Sequence, residues 1–229
     1  KTKGFHCMPR GQVMQHLAQP GDFPNLALVT SRLTKGEQFA HAQITDKITE
    51  VICMSPQTSN NGFVFPLWLL PSQPKPDQPL VAQRHPNLAP DFLAALARAL
   101  GRPVAGPHGL PEGVTPEDVL AYVYAVLHAP SYRSRYGEYL KSDFPRIPLP
   151  KVPDPSVNGS SSAMGFESIW SALLPLGREL IALHLLKAVP PALRPGFALQ
   201  GDNIVAKPRY EPPHSGANAT ERGRVWINA

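Results

Sequence analysis

PEDVLAYVYAVLHAPSYRSRYGEYLKSDFPRIPLP, Pro116 to Pro150, is the stretch on which the fold turns, and it holds five of the six tyrosines. Thr115 precedes it as an N-cap, Pro116 takes the first helical position, and Glu117 and Asp118 place acids in the first turn, where the helix dipole favours them. Val119, Leu120, Val123 and Leu127 then make an apolar stripe. Pro130 ends this helix. Ser131 is placed to cap a second one, on which Tyr132, Tyr136, Tyr139 and Leu140 share a face. Tyrosines on the leucine side are expected in the core rather than stacked on a base. A proline-locked tail closes the segment.

Upstream, a helix is predicted from Pro90 or Asp91 to Leu100, stopped by Gly101 and Pro103. Residues 72–90 are a proline-rich connection. Residues 20–70 read as a small, mostly antiparallel β region, with runs at Leu26 to Thr30, Phe39 to Ile44, Ile48 to Met54 and Phe63 to Leu70. Asn60-Asn61-Gly62 signals a turn before the last run. Residues 4–19 suggest a turn and a short helix begun by Pro9, with Val13, Met14 and Leu17 on one face. Downstream, Ser160 to Ser162 fall in a loop. A helical pattern follows through Phe166, Trp170, Leu173, Leu180 and Leu183, which Pro175 should kink or split. Strand-like pieces at Asn203 to Ala206 and Arg224 to Ile227 end the chain. The expected class is α+β. A β-rich lobe spans 1–75, a helical region 76–190, and a short C-terminal β segment, 191–229, packs back on the first lobe to cover strand edges.

The bulk numbers agree with a packed protein. Of 229 residues, 42% are hydrophobic and 17% charged, which favours a core over disorder. The formal charge of +5 and pI near 9.3 suit a polyanionic partner. Cys7 and Cys53 make no disulfide framework, so a reduced, cytoplasmic setting is expected. No signal peptide is visible, and the apolar run Phe63 to Leu70 is too short for a membrane span. Lys1 is not a start methionine, so the chain is expected to be a piece of a longer protein.

The usual signatures of chemistry are missing. There is no G-x-G-x-x-G, no G-x-x-x-x-G-K-[ST] and no G-x-S-x-G. No Asn-Pro-Pro-Tyr or Asp-Pro-Pro-Tyr grips a flipped base, and Glu211-Pro-Pro-His214 is not that motif. Pro90-Asp91 and Pro153-Asp154 lack the acid-x-Lys that completes a nuclease site. The histidines show no metal spacing, His6, Cys7 and His16 being the nearest approach. His184, flanked by leucines, reads as a satisfied core or boundary histidine. No catalytic residue, metal ligand or cofactor is assigned to the chain.

Several pieces, in order, resemble the C-terminal specificity region of type ISP restriction–modification enzymes. They begin with Lys3-Gly-Phe5, Pro9-Arg10, Val13-Met14 and His16-Leu17. Asn25-Leu-Ala-Leu28 with Arg32 follows, then His41 with Ile44-Thr-Asp46, then Gly62-Phe63 and Phe65-Pro-Leu67 with Leu70-Pro71. The strongest piece runs from Pro116-Glu-Asp118 through Tyr122-Val-Tyr124 and Arg135-Tyr136 to Asp143-Phe-Pro-Arg146. Leu176-Gly177, Leu183-His-Leu-Leu186, Gly201-Asp202, Arg209-Tyr210 and Ile227-Asn228 complete it. The resemblance covers most of 3–149 and 173–228 and is weaker at 72–115 and 150–168. It implies a bacterial target-recognition domain that binds duplex DNA for an adenine-specific methyltransferase. The methyltransferase domain would be a partner within the same polypeptide. S-adenosylmethionine, and ATP and Mg, would bind elsewhere in that longer enzyme. It also implies that the pattern continues beyond Asn228.

On that reading, side chains in the β region are expected to read base edges: Arg32, Gln38, His41, Gln43, Thr45, Lys47, Asn60 and Asn61. Gln57, Thr58 and Ser59 lie in the same turn. Lys35, Arg133, Arg135 and Lys141 are expected to anchor the phosphate backbone. Arg133, Gly137 and Lys141 would form a flat basic strip on one helix face. The alternative for each is a solvated surface, and Arg10 and Arg146 are either anchors or helix-end caps. Two other functions stay open: an interaction domain that docks on a methyltransferase with weak DNA contact, and a hydrolase with an unrecognised site.

Overall fold

Strand β1 (Ala27–Ser31) is the centre of a three-stranded antiparallel sheet, between β2 (Ala42–Thr45) and β3 (Gly62–Pro66). The structure, a computed structural model, describes residues 11–17, 25–35, 38–55, 60–149, 166–188, 204–212 and 223–227. Ala27 pairs with Thr45 and Pro66, and Val29 with Gln43 and Val64. Alternation therefore puts Ala27, Val29, Gln43, Thr45 and Val64 on one face, and Leu28, Ala42, Ile44, Phe63 and Phe65 on the other. The first face buries Ala27, Val29 and Val64 against Met14 and Leu17, from α1 (Gly11–Met14) and the turn after it. The second face packs Ala42 and Ile44 against the helices.

The helix predicted at Pro116 is the core of the molecule. In α3 (Pro116–His128), Val119, Leu120, Ala121, Tyr122, Tyr124, Ala125, Val126 and Leu127 are all buried, far more than one stripe. Thr115 and Asp118 close a capping box, with Asp118 N–H donating to Thr115 Oγ1 at 3.2 Å and Thr115 N–H to Asp118 Oδ2 at 3.0 Å. Helix α2 (Pro90–Leu100) buries Leu93, Leu96, Ala97 and Leu100 and stops at Gly101, whose φ of 66° is the left-handed cap that glycine adopts without strain. Helix α5 (Phe166–His184) crosses α3 so closely that a Cβ on Gly177 would collide with the backbone of Ala121. Arg178 of α5 pairs with Asp118, and Trp170, 1% exposed, lies against Tyr122. Sheet and helices meet at Trp68. Its Nε1–H donates to Glu117 Oε1 at 2.9 Å, and the Arg84 guanidinium sits 4.0 Å from its ring centroid. Fully burying each large side chain contributes about 1.5–3 kcal/mol.

Several sequence expectations need correction. Ile48 to Met54 is not a strand: Glu50 accepts the Ile52 N–H at 2.7 Å and starts a turn, leaving Ile48 and Ile52 exposed. The proline-rich connection holds a strand, β5 (His85–Pro86), which pairs with β4 (Trp68–Leu69). Ser131 is no cap, because Ala129 is both the last cap of α3 and the first cap of α4 (Pro130–Tyr136), with Pro130 at the first position. Tyr139 is exposed rather than core, because α4 ends at Tyr136 and Tyr139–Lys141 form a separate 3-10 turn. Pro175 does not split α5, which runs as one helix. The strand expected at 203–206 lies instead at β6 (Arg209–Glu211), paired with β7 (Arg224–Trp226). Pro9, Arg10, Gln57 to Ser59 and Ser160 to Ser162 lie outside the described residues. The chain divides into two compact units, Lys1–Ala188 and Val189–Ala229. Among the described residues, no helix is long and apolar enough to cross a membrane.

Candidate nucleic-acid interface

Antiparallel pairing brings separate pieces of chain to one end of the sheet. β1 leaves there at Arg32 and β2 begins there at Ala42, and Ser31 pairs with Gly62, so the Asn60-Asn61 approach to β3 lies there too. Thr34 adds a distant third piece. Its N–H donates to Lys141 O at 3.1 Å and its hydroxyl to Leu140 O at 3.2 Å, across 106 residues.

Beneath this end runs a buried polar frame. Asn60 is 1% exposed; its Oδ1 accepts the Lys35 N–H at 3.0 Å and its Nδ2 lies 3.1 Å from His41 Nε2. His41 is 3% exposed, and its carbonyl accepts the Thr30 hydroxyl at 2.7 Å. Buried polar groups persist where they are hydrogen-bonded. His41 and Asn60 are therefore struts of the frame and not surface groups, which corrects their expected place among base readers.

The tail after the 3-10 turn is fixed from both sides. Phe144 stands edge-on to Phe63 and Phe65, with centroids at 5.0 and 5.6 Å. Tyr132 donates its hydroxyl to Arg146 O and Tyr122 to Pro148 O, each at 3.0 Å. Burial pushes the Tyr122 phenol up to about 12 and raises that of Tyr132, so both remain protonated donors. Asp143 follows directly from this anchoring. Its carboxylate lies 3.7 Å from Arg32 Nε and 3.5 Å from an Arg146 terminal nitrogen. The Phe144 N–H first, and then the two guanidiniums, hold that carboxyl below the ordinary aspartate value.

The exposed groups at this end are Arg32, Lys35, Gln38, Asn61, Lys141 and Arg146. Gln43 is exposed midway along edge strand β2. Thr45 and Lys47 sit at the opposite end of β2, joined by Thr45 Oγ1 accepting the Lys47 N–H at 3.0 Å. The basic strip does not form. Arg133 turns inward, donating Nε–H to Leu127 O at 2.7 Å near the Phe39 ring, and Lys141 pairs with Glu138 at 2.8 Å. Burial lowers the Arg133 pKa. Arg135 is exposed on α4. Arg146, which the sequence left open, joins the site; the signal was its place two residues after a buried-type aromatic in a proline-locked tail.

Guanidiniums, ammoniums and planar amides gathered on one rigid edge can meet phosphates and the guanine and adenine edges of a major groove. A family model described as the type ISP C-terminal specificity domain matches residues 1–229. No curated protein matches the chain. Two solved structures are similar. One is a cryo-EM structure of a DrdV–DNA complex, at 23% identity and a TM-score of 0.49, over 86% of this chain and 14% of that one. The other is a nuclease-deletion mutant of the type ISP restriction–modification enzyme LlaGI with a DNA substrate mimic, at 21% identity and a TM-score of 0.44, over 84% of this chain and 12% of that one. The chain thus spans about one-seventh of the first and one-eighth of the second.

Proposed function

The chain belongs to the type ISP C-terminal specificity domain family, and from that premise we propose that it reads duplex DNA for a restriction–modification enzyme that methylates adenine. One observation carries the reading to particular residues. The sheet end gathers Arg32, Lys35, Gln38, Asn61, Lys141 and Arg146 from distant parts of the chain over a hydrogen-bonded frame. Rigid support is what base discrimination needs, because a misplaced fork loses its bidentate contact. In this reading the amides of Gln38 and Asn61 face base edges. Lys35 and Lys141 anchor phosphates. Methyl transfer, cleavage and ATP hydrolysis belong to other parts of a longer polypeptide, whose methyltransferase domain is the chain's partner.

A salt titration of duplex binding tests this. Affinity should fall with a log–log slope of roughly −3 to −6, as a handful of neutralised phosphates requires. Lys35→Ala with Lys141→Ala should make that slope shallower by about two on every sequence. Gln38→Ala or Asn61→Ala should instead relax the sequence preference by ~1–3 kcal/mol per lost bidentate contact. No binding, or binding indifferent to salt, ends the proposal and leaves a docking role on the methyltransferase.

A further inference from the structure

Asp143 is an acid set between two cations on a surface proposed to meet a polyanion. We infer that it is a specificity-determining positioning residue, holding Arg32 and Arg146 away from the phosphodiester backbone until a matching site displaces it. This rests on the DNA-reading function proposed above. Arg32 leaves the end of β1 and Arg146 lies in the tail, and nothing local relates them. Asp143 makes them one unit, with Oδ1 facing Arg32 at 3.7 Å and Oδ2 facing Arg146 at 3.5 Å. Its own position is fixed. The Phe144 N–H donates to Oδ1 at 2.9 Å, and the Phe144 ring is wedged on Phe63 and Phe65.

The exposure of the three side chains, 61% for Arg32, 49% for Asp143 and 90% for Arg146, decides what the pairs can do. Exposed ion pairs are weak, so phosphate or a base edge can break them. A lone phosphate offers only an exchange of one anion for another. A guanine presenting O6 and N7 in register offers two acceptors on a planar edge, matched to the guanidinium fork. The carboxylate therefore subtracts more from sequence-independent contacts than from a matched site.

The test measures binding of the purified chain to a mixed-sequence duplex across salt concentrations. The proteins are wild type, Asp143→Asn, Asp143→Glu, Arg32→Gln/Arg146→Gln, and the triple variant that adds Asp143→Asn. Asp143→Asn should bind about three- to tenfold tighter, with a slope steeper by about one to two, because two guanidiniums are freed for phosphates. Its melting temperature should be unchanged, since the asparagine oxygen still accepts the Phe144 N–H. Asp143→Glu should restore wild-type binding. In the Arg32→Gln/Arg146→Gln background the gain should vanish. A gain that persists there makes Asp143 a mere repulsive charge and overturns the inference, as does wild-type binding by Asp143→Asn. Wild-type protein that binds no duplex at any salt overturns the DNA-reading function itself, a different result.

Discussion

Asn60 and Asn61 are chemically identical neighbours with opposite roles. Asn60 shares strand parity with Gly62 and Val64 and is buried, whereas Asn61 shares parity with Phe63 and Phe65 and is exposed. Asn60→Ala should cost about 1–3 kcal/mol, because the Lys35 N–H and His41 Nε2 lose their bonds to Asn60 inside the fold. For a chain of this length that lowers the melting temperature by roughly 2–4 °C per kcal/mol. Asn61→Ala should leave stability within ~0.5 kcal/mol. Calorimetry on both decides it; equal melting of Asn60→Ala and wild type removes the strut. In the sequence both asparagines stand among the expected base readers, because a turn signal carries no strand parity. Phe63 and Phe65 lie on the helix-facing side of the sheet but stay 40% and 41% exposed on edge strand β3. Their cover is Phe144, a residue some eighty positions along the chain, and no local pattern announces it.

The elements that could be read in advance are those whose limits are set locally. Thr115 to Asp118 and Gly101 mark ends of α3 and α2 through their own side chain or backbone, and both ends stand where expected. In the two-residue ladder of β4 and β5, Trp68 and Leu69 fall within the expected run at Phe63 to Leu70, whereas His85–Pro86 sits in a proline-rich stretch with no strand signature, and Asn25, Glu117 and Arg84 hold Trp68 from elsewhere in the chain. The crossing of α3 and α5 is equally invisible in either helix alone. It does make a prediction for Gly177. Alanine there gains about 1 kcal/mol of helix propensity but drives a methyl into the Ala121 backbone, which cannot swing aside as a side chain would. Overpacking should win, and Gly177→Ala should lose at least about 1 kcal/mol in denaturant unfolding. A stabilised variant would mean that the helices part without penalty.

At the scale of the whole molecule, two histidines among the described residues tie stability to pH. Burial lowers the pKa of His16, with His85 adding to it. Burial also lowers that of His128, with Arg133 and His184 adding to it against the Tyr124 carbonyl. His16 Nδ1 accepts the Leu70 N–H at 3.0 Å, and the His128 ring lies tilted to Tyr124 and edge-on to His184, with centroids at 4.4 and 5.3 Å. The fold disfavours the protonated form of both rings, so the unfolded chain takes protons first. Stability is then full above the unfolded value near 6.5 and declines as pH falls below it towards the folded values. Unfolding at pH 7.5 and pH 5 should show the loss (about where linkage for these rings acts), and His128→Gln should reduce it. A flat profile would mean that neither ring is held neutral by the fold. The Thr34 bonds to the carbonyls of Leu140 and Lys141 reach beyond stability. They make the proposed reading edge a joint product of chain segments that recombination can separate. A cassette spanning only the β strands, transplanted into a sister enzyme, would arrive without the carbonyls that shape its loop. On the proposed reading, new targets are then reached by point changes at the rim, or by inheriting the compact unit Lys1–Ala188 as a block.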